Sequence, residues 1–175
     1  SRCLFRIFNK GFLFNQHYNF PSIHTLINER LQNMLPEFMS VMKGDNVQLE
    51  LKNINQGLSL DPEIKGITSG GNLTLICNMI GTKLHPVTKN KILVIEEIGE
   101  VSYRVHRYLL HLFNAGIFSE VSAVIFADFT VDDKKIDITI QDFVLNYLNN
   151  IPVYRTKNVG HGPINYPFTM NSKAL

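Results

Sequence analysis

Hydrophobic positions along this chain follow two periods, and the switches between them outline the elements. Over 21–35, Ile23, Leu26, Ile27, Leu31 and Met34 recur at helical spacing, with Ser22 placed to cap the start. Pro36 interrupts that pattern, and "EFMSVMKG" continues as a short helical turn to Gly44. Val47, Leu49 and Leu51 then alternate with polar residues, which is strand spacing. Residues 52–66 are rich in Gly, Asn, Asp and Pro and read as a loop. "GGNLTLICNMIGT" (70–82) reads as an apolar helix opened by two glycines and closed by Gly81. Three apolar runs, "KILVIEE", "VSAVIFADF" (121–129) and "IPVYRT", read as strands. Val101, Val105, Tyr108, Leu109, Leu112 and Phe113 form one stripe on a helix that Gly116 ends, and 140–149 forms another helix. "NVGHGPINYP" is a loop. Strands alternating with helices predict α/β architecture with at least part of the sheet parallel.

Composition narrows the function classes. The chain has 175 residues, 45% of them hydrophobic and 18% charged, enough to bury a core of ordinary domain size. Net charge is +2, with acids and bases mixed along the chain. There is no basic stripe of the kind nucleic acid demands, and no nucleic-acid partner is expected. No apolar run is long enough for a membrane span, so no membrane partner is expected either. The apolar start, "SRCLFRIFNKGFLF", carries Arg2, Arg6 and Lys10 and lacks a signal-peptide cleavage pattern. Cys3 and Cys77 stand alone, without metal or redox spacing, which fits a reduced, cytoplasmic protein.

Two stretches carry candidate chemistry. The apolar strand at 92–95 stops on Glu96-Glu97 and runs straight into a helix. Side chains alternate along a strand, so Glu96 shares a face with Ile92 and Val94, while Glu97 shares the other with Leu93 and Ile95. The two carboxylates therefore point apart, which argues against a paired-carboxylate site. They also stand at the carboxyl end of the strand, where open α/β sheets gather ligands and catalytic groups. The competing reading is a pair of solvated acids near a helix start, where the dipole favours negative charge. In the second stretch, His161 sits between Gly160 and Gly162 just after a strand, unshielded and free to reach a substrate. Its competing reading is an exposed loop histidine. His17, His24, His85, His106 and His111 show no pairing with acids at ligand spacing, so neither a metal nor another cofactor is expected.

The order "GGNLTLICNMIGT … KILVIEEIGEVSYRVHRYLLHLFNAGIF … VIFADF … IPVYRTKNVGHGPINYPFTMNSKAL" resembles the carboxyl-terminal domain of the LD-carboxypeptidase family of serine peptidases. Gly70 to Leu73, Glu96, Tyr103, Arg104, Arg107, Asp128, Phe129 and Gly160 to Gly162 fit the family pattern. The resemblance implies a swivelling β/β/α-type domain over 66–175. It leaves 45–65 as a linker strand and loop and 1–44 as a remnant of an amino-terminal α/β domain. It implies a Ser-Glu-His triad whose acid falls on Glu96 and whose base falls on His161. The implied reaction is release of terminal D-alanine from murein tetrapeptide in cell-wall recycling; a sub-branch, the microcin self-immunity proteins, hydrolyses acylated nucleotide antibiotics instead.

The chain also departs from the pattern. Family members hold the serine in a Gly-x-Ser-Asp turn; here Ser1 stands at the matching place, with Arg2 where Asp is expected and no glycine turn before it. His106 replaces an acid often seen before Arg107. A second reading is therefore a relative without hydrolysis of its own that binds muropeptide or a partner subunit. Loss of a whole domain predicts exposed apolar area around residues 1–44 and association into a homodimer.

Overall fold

The computed structural model describes residues 2–7, 18–19, 35–43, 45, 47–55, 64–162 and 165–174. In chain order these form β1 (Arg2–Ile7), β2 (Tyr18–Asn19), α1 (Leu35–Met42), β3 (Val47–Asn53), β4 (Gly66–Asn72) and α2 (Leu73–Met79). There follow β5 (Lys91–Ile98), α3 (Ser102–Asn114), β6 (Ala123–Thr130), α4 (Ile136–Tyr147), β7 (Val153–Arg155), β8 (Phe168–Thr169) and β9 (Lys173–Ala174). The expected helix at 21–35 lies almost entirely outside the described residues, as do Ser1, His17 and His24.

The architecture is α/β. Strands β4, β5, β6 and β7 are parallel neighbours, each joined to the next through one helix. Their apolar runs are buried on both faces, as parallel strands between two layers must be: Ile92, Leu93, Val94 and Ile95 are all under 5% exposed. Antiparallel β3, β1 and β9 continue the sheet from β7 back to β4, so it curls round on itself in the order β1-β3-β7-β6-β5-β4-β9. Both β1, in the stretch assigned to an amino-terminal remnant, and β3, in the stretch assigned to a linker, thus hydrogen-bond into one sheet.

Two cores follow from the alternation of side chains. On one face, Leu93, Ile95, Val124 and Phe126 pack against the buried stripes of the helices: Leu73 and Ile76 of α2, Val105, Leu109 and Leu112 of α3, Ile140 and Phe143 of α4. On the other, Leu49, Leu51, Ile92, Val94, Ile125, Ala127 and Tyr154 meet one another. Glu96 belongs by parity to this second face and Glu97 to the helix face.

Several elements differ from their expected bounds. Gly70 and Gly71 open no helix; they lie within β4, which runs to Asn72, and the helix begins only at Leu73, capped by Asn72, whose side chain accepts from Leu75 N. A short apolar run reads alike in strand and helix, and the deciding fact is non-local. Gly70 runs so close to β5 that a Cβ would lie 1.8 Å from Val94 O. Helix α4 starts at Ile136, four residues before the expected 140, because Ile136 as well as Ile140 faces the core. In α3 the stripe narrows to Val105, Leu109 and Leu112, with Phe113 39% exposed. Cys77 is a buried free thiol; burial first, and the charge of Glu97 second, push its pKa up to about 11. Apolar exposure expected around residues 1–44 falls mostly outside the described residues, Met39 at 46% being an exception.

Candidate active site

The carboxyl ends of β5, β6 and β7 and the loop after β7 converge on one place. Glu96 stands there near the carboxyl end of β5, 5% exposed. His161 reaches it from the loop, its ring half in solvent and its Nδ1 2.6 Å from Glu96 Oε2. A carboxylate oxygen can only accept, so Nδ1 donates to it, and in the neutral ring Nε2 is the acceptor. A half-exposed imidazole with one nitrogen held by a buried acid can serve as a general base with an orienting group. Among the described residues no hydroxyl hydrogen-bonds to the ring. Ser1 lies outside them.

Glu97 points the other way and is fully engaged. Its Oε1 accepts from Asn72 Nδ2 at 2.7 Å and from Ile98 N at 2.8 Å. Its Oε2 accepts from Thr74 N at 2.9 Å and Thr74 Oγ1 at 2.7 Å. It is 3% exposed and clasps the start of α2 to the end of β5. Neither reading of a solvated acid survives for this pair: both are buried, one against an imidazole and one within a hydrogen-bonded clasp. The sequence carried part of the second signal, since Asn72 followed by a helix-forming run is a cap signature. Thr74 as a ligand of Glu97 had no such mark.

The remaining marked residues sit apart from that contact. On α3, Arg107 lies over the Tyr103 ring at 5.1 Å, and Arg104 pairs with Glu100 at 3.3 Å on the exposed face. His106 meets Phe143 edge-on at 6.3 Å. His85 Nδ1 accepts from Gly81 N. Asp128 accepts from Thr130 Oγ1 and is enclosed by the glycines around His161. The described residues hold no cluster of three or more His, Cys, Asp or Glu fit to bind a metal. None of their helices is long and apolar enough to cross a membrane.

This chain belongs to the LD-carboxypeptidase family: residues 65–175 match the family model of the LD-carboxypeptidase C-terminal domain. A putative carboxypeptidase of Rickettsia conorii is 32% identical over 149 residues, covering 83% of this chain and 47% of that protein. One from Rickettsia prowazekii is 31% identical over 169 residues, covering 91% and 53%. A probable murein peptide carboxypeptidase of Bacillus subtilis is 27% identical over 104 residues, covering 55% and 32%. The chain thus spans about half the length of the Rickettsia proteins it matches. Among solved structures, the fold is shared with muramoyltetrapeptide carboxypeptidase from Oxalobacter formigenes, TM-score 0.70 at 23% identity over 90% of this chain and 56% of that one. It is shared also with an MccF-like protein from Bacillus anthracis, TM-score 0.68 at 19% identity over 90% and 56%.

Proposed function

We propose that this chain supplies the base and its orienting acid to a serine LD-carboxypeptidase that releases terminal D-alanine from murein tetrapeptide. The observation that carries the reading is the 2.6 Å contact between Glu96 and His161 at the carboxyl edge of the parallel strands. In this reaction His161 Nε2 takes the proton of a serine hydroxyl as its oxygen attacks the carbonyl of the L-to-D peptide bond. The same nitrogen returns the proton to the departing D-alanine amine, and water repeats the cycle to free the acylated serine. Glu96 holds the productive tautomer and stabilises the imidazolium that forms. Backbone or side-chain donors beside the serine would hold the oxyanion. The probable murein peptide carboxypeptidase among the relatives supports this choice of substrate over the acylated nucleotides of the microcin branch.

The test is D-alanine release from murein tetrapeptide by a protein that joins this chain to a serine-bearing amino-terminal domain of the family. Release that depends on both Glu96 and His161 supports the reading. Release indifferent to His161→Ala overturns it, and cleavage of an acyl sulfamoyl nucleotide with no release from tetrapeptide moves the protein to the microcin branch.

A further inference from the structure

The geometry points to Asp128 as the positioning residue of the His161 loop, with Gly160 and Gly162 lacking side chains because the loop is moulded on Asp128. The inference rests on the pairing of Glu96 with His161 as acid and base. It concerns how that pair is held.

The sheet provides the first link. Ile95 pairs with Phe126 and Glu97 with Phe129, so Ala127 and Asp128 together stand opposite the single residue Glu96. This is a bulge in β6, and it reverses the side-chain alternation: Phe126 and Phe129 both join the helix-side core although three positions apart. The extra residue leaves Asp128 beside Glu96 at the strand ends. Asp128 is 8% exposed, and Thr130 Oγ1 donates to its Oδ2.

The loop provides the second link. Asp128 N donates to Val159 O at 2.7 Å, two residues before the histidine. A Cβ on Gly160 would lie 3.0 Å from Asp128 Cβ, and a Cβ on Gly162 would lie 2.7 Å from Asp128 Oδ2. Gly160 also has φ +127°, which by itself favours glycine. Gly162 has no such φ, so backbone freedom does not account for it and the space taken by Asp128 does. On the other side, Gly160 N donates to Asn165 Oδ1 at 3.0 Å. The imidazole is half in solvent, and among the described residues its one polar contact is Glu96. Its place must therefore come from its backbone, which Asp128 bounds on the side of the sheet while Asn165 holds it on the other. A single residue is thus registered to Glu96 through the sheet and to His161 through the loop.

The experiment uses the full chain and the nuclear magnetic resonance signal of the His161 Nδ1 proton held against Glu96. Glu96→Gln and His161→Ala assign the signal by removing it. Asp128→Asn should keep it, because shape and the Thr130 contact survive without the charge. Gly162→Ala should lose it with the melt of the chain still cooperative, and Asp128→Ser should weaken it severalfold. In the double variant, Gly162→Ala should add nothing to Asp128→Ser, because the carboxylate it would strike is gone. A full signal in Gly162→Ala or Asp128→Ser, or additive losses in the double variant, overturns the proposal. If Asp128→Ser does not fold, Gly162→Ala decides alone. A signal that survives Glu96→Gln instead sinks the acid–base pairing, and absence of D-alanine release touches neither result.

Discussion

Glu96 Oε2 and His161 Nδ1 lie 2.6 Å apart although 65 positions of chain separate them. Glu96, near the carboxyl end of β5, presents a buried carboxylate to the loop that follows β7, two strands away in the same parallel sheet. The consequence is measurable in a protein that pairs this chain with a serine-bearing domain. Glu96→Gln offers the ring an amide that can donate as well as accept, so the proton can settle on the wrong nitrogen. D-alanine release should fall by about 10²- to 10⁴-fold in Glu96→Gln and at least as far in His161→Ala. Circular dichroism and melting should be nearly unchanged in His161→Ala, since that ring is half exposed. An equal loss from unfolding would show in the melt.

Glu97, next in sequence, should behave oppositely. Glu97→Ala leaves Asn72 Nδ2, Thr74 N, Thr74 Oγ1 and Ile98 N, all partly buried, without their acceptor at once. The expected loss is about 3–5 kcal/mol of unfolding free energy, read by urea titration. Glu96→Ala should cost clearly less, because it strands a half-exposed ring that water can serve. A smaller loss from Glu97→Ala than from Glu96→Ala would contradict the clasp.

Adjacent glycines in β4 separate strain from collision. Gly70 and Gly71 both have φ in the left-handed half of the map, at +128° and +136°. A Cβ on Gly70 would strike the Val94 carbonyl, whereas one on Gly71 meets nothing within 4 Å. Gly71→Ala should cost about 1–3 kcal/mol from strain alone. Gly70→Ala adds a clash with backbone that cannot move without parting β4 from β5, and should leave little folded chain. Expression and melting of the two variants side by side give the comparison; equal tolerance would refute it.

Much of the candidate site is legible in the sequence because strong local signals mark it. Ile92 to Ile95 followed by two acids is a parallel strand with a carboxyl end, and alternation alone sends Glu96 and Glu97 to opposite faces. Flanking glycines single out His161 among six histidines. What stayed hidden is what depends on neighbours distant in sequence. Gly70 to Asn72 read as helix because the approach of Val94 is invisible locally. The bulge at Ala127 and Asp128 depends on register with β5, and no residue type announces it. The closing strand β9 has two residues, Lys173 and Ala174, too few for any period to show. Glu97 looked like a solvated acid because its acceptor role is defined by Thr74, a residue that local pattern gives no reason to single out.

Cys77 gives the chain a dependence on alkaline pH. Burial, then the charge of Glu97, raise its pKa from 9.0 to about 11. Between these values the unfolded chain has released the thiol proton and the folded chain has kept it. The folded state therefore binds more protons, and stability falls as pH rises through that window. The contribution is intact below pH 9 and lost by about pH 11. Cys77→Ala removes some packing, so it should melt lower than the parent at pH 8, and the gap should narrow by pH 10.5. A gap that stays constant or widens would show that the thiol does not titrate in this way.

The last expectation concerns the chain by itself. A base and its orienting acid do not cleave a peptide bond without a nucleophile, and the oxyanion donors that accompany the serine act with it as a unit. Among the described residues no hydroxyl stands against His161. Ser1 is followed by Arg2, where the family resemblance expects Asp. Residues 1–175 purified alone should accordingly release little or no D-alanine from murein tetrapeptide, and Ser1→Ala should not change the rate. Adding a separate serine-bearing domain of the family should raise release by at least 10²-fold if the two halves assemble, and His161→Ala should cancel that gain. Robust release by the chain alone that vanishes in Ser1→Ala would make Ser1 the nucleophile. Robust release that survives His161→Ala would remove the imidazole from the mechanism altogether.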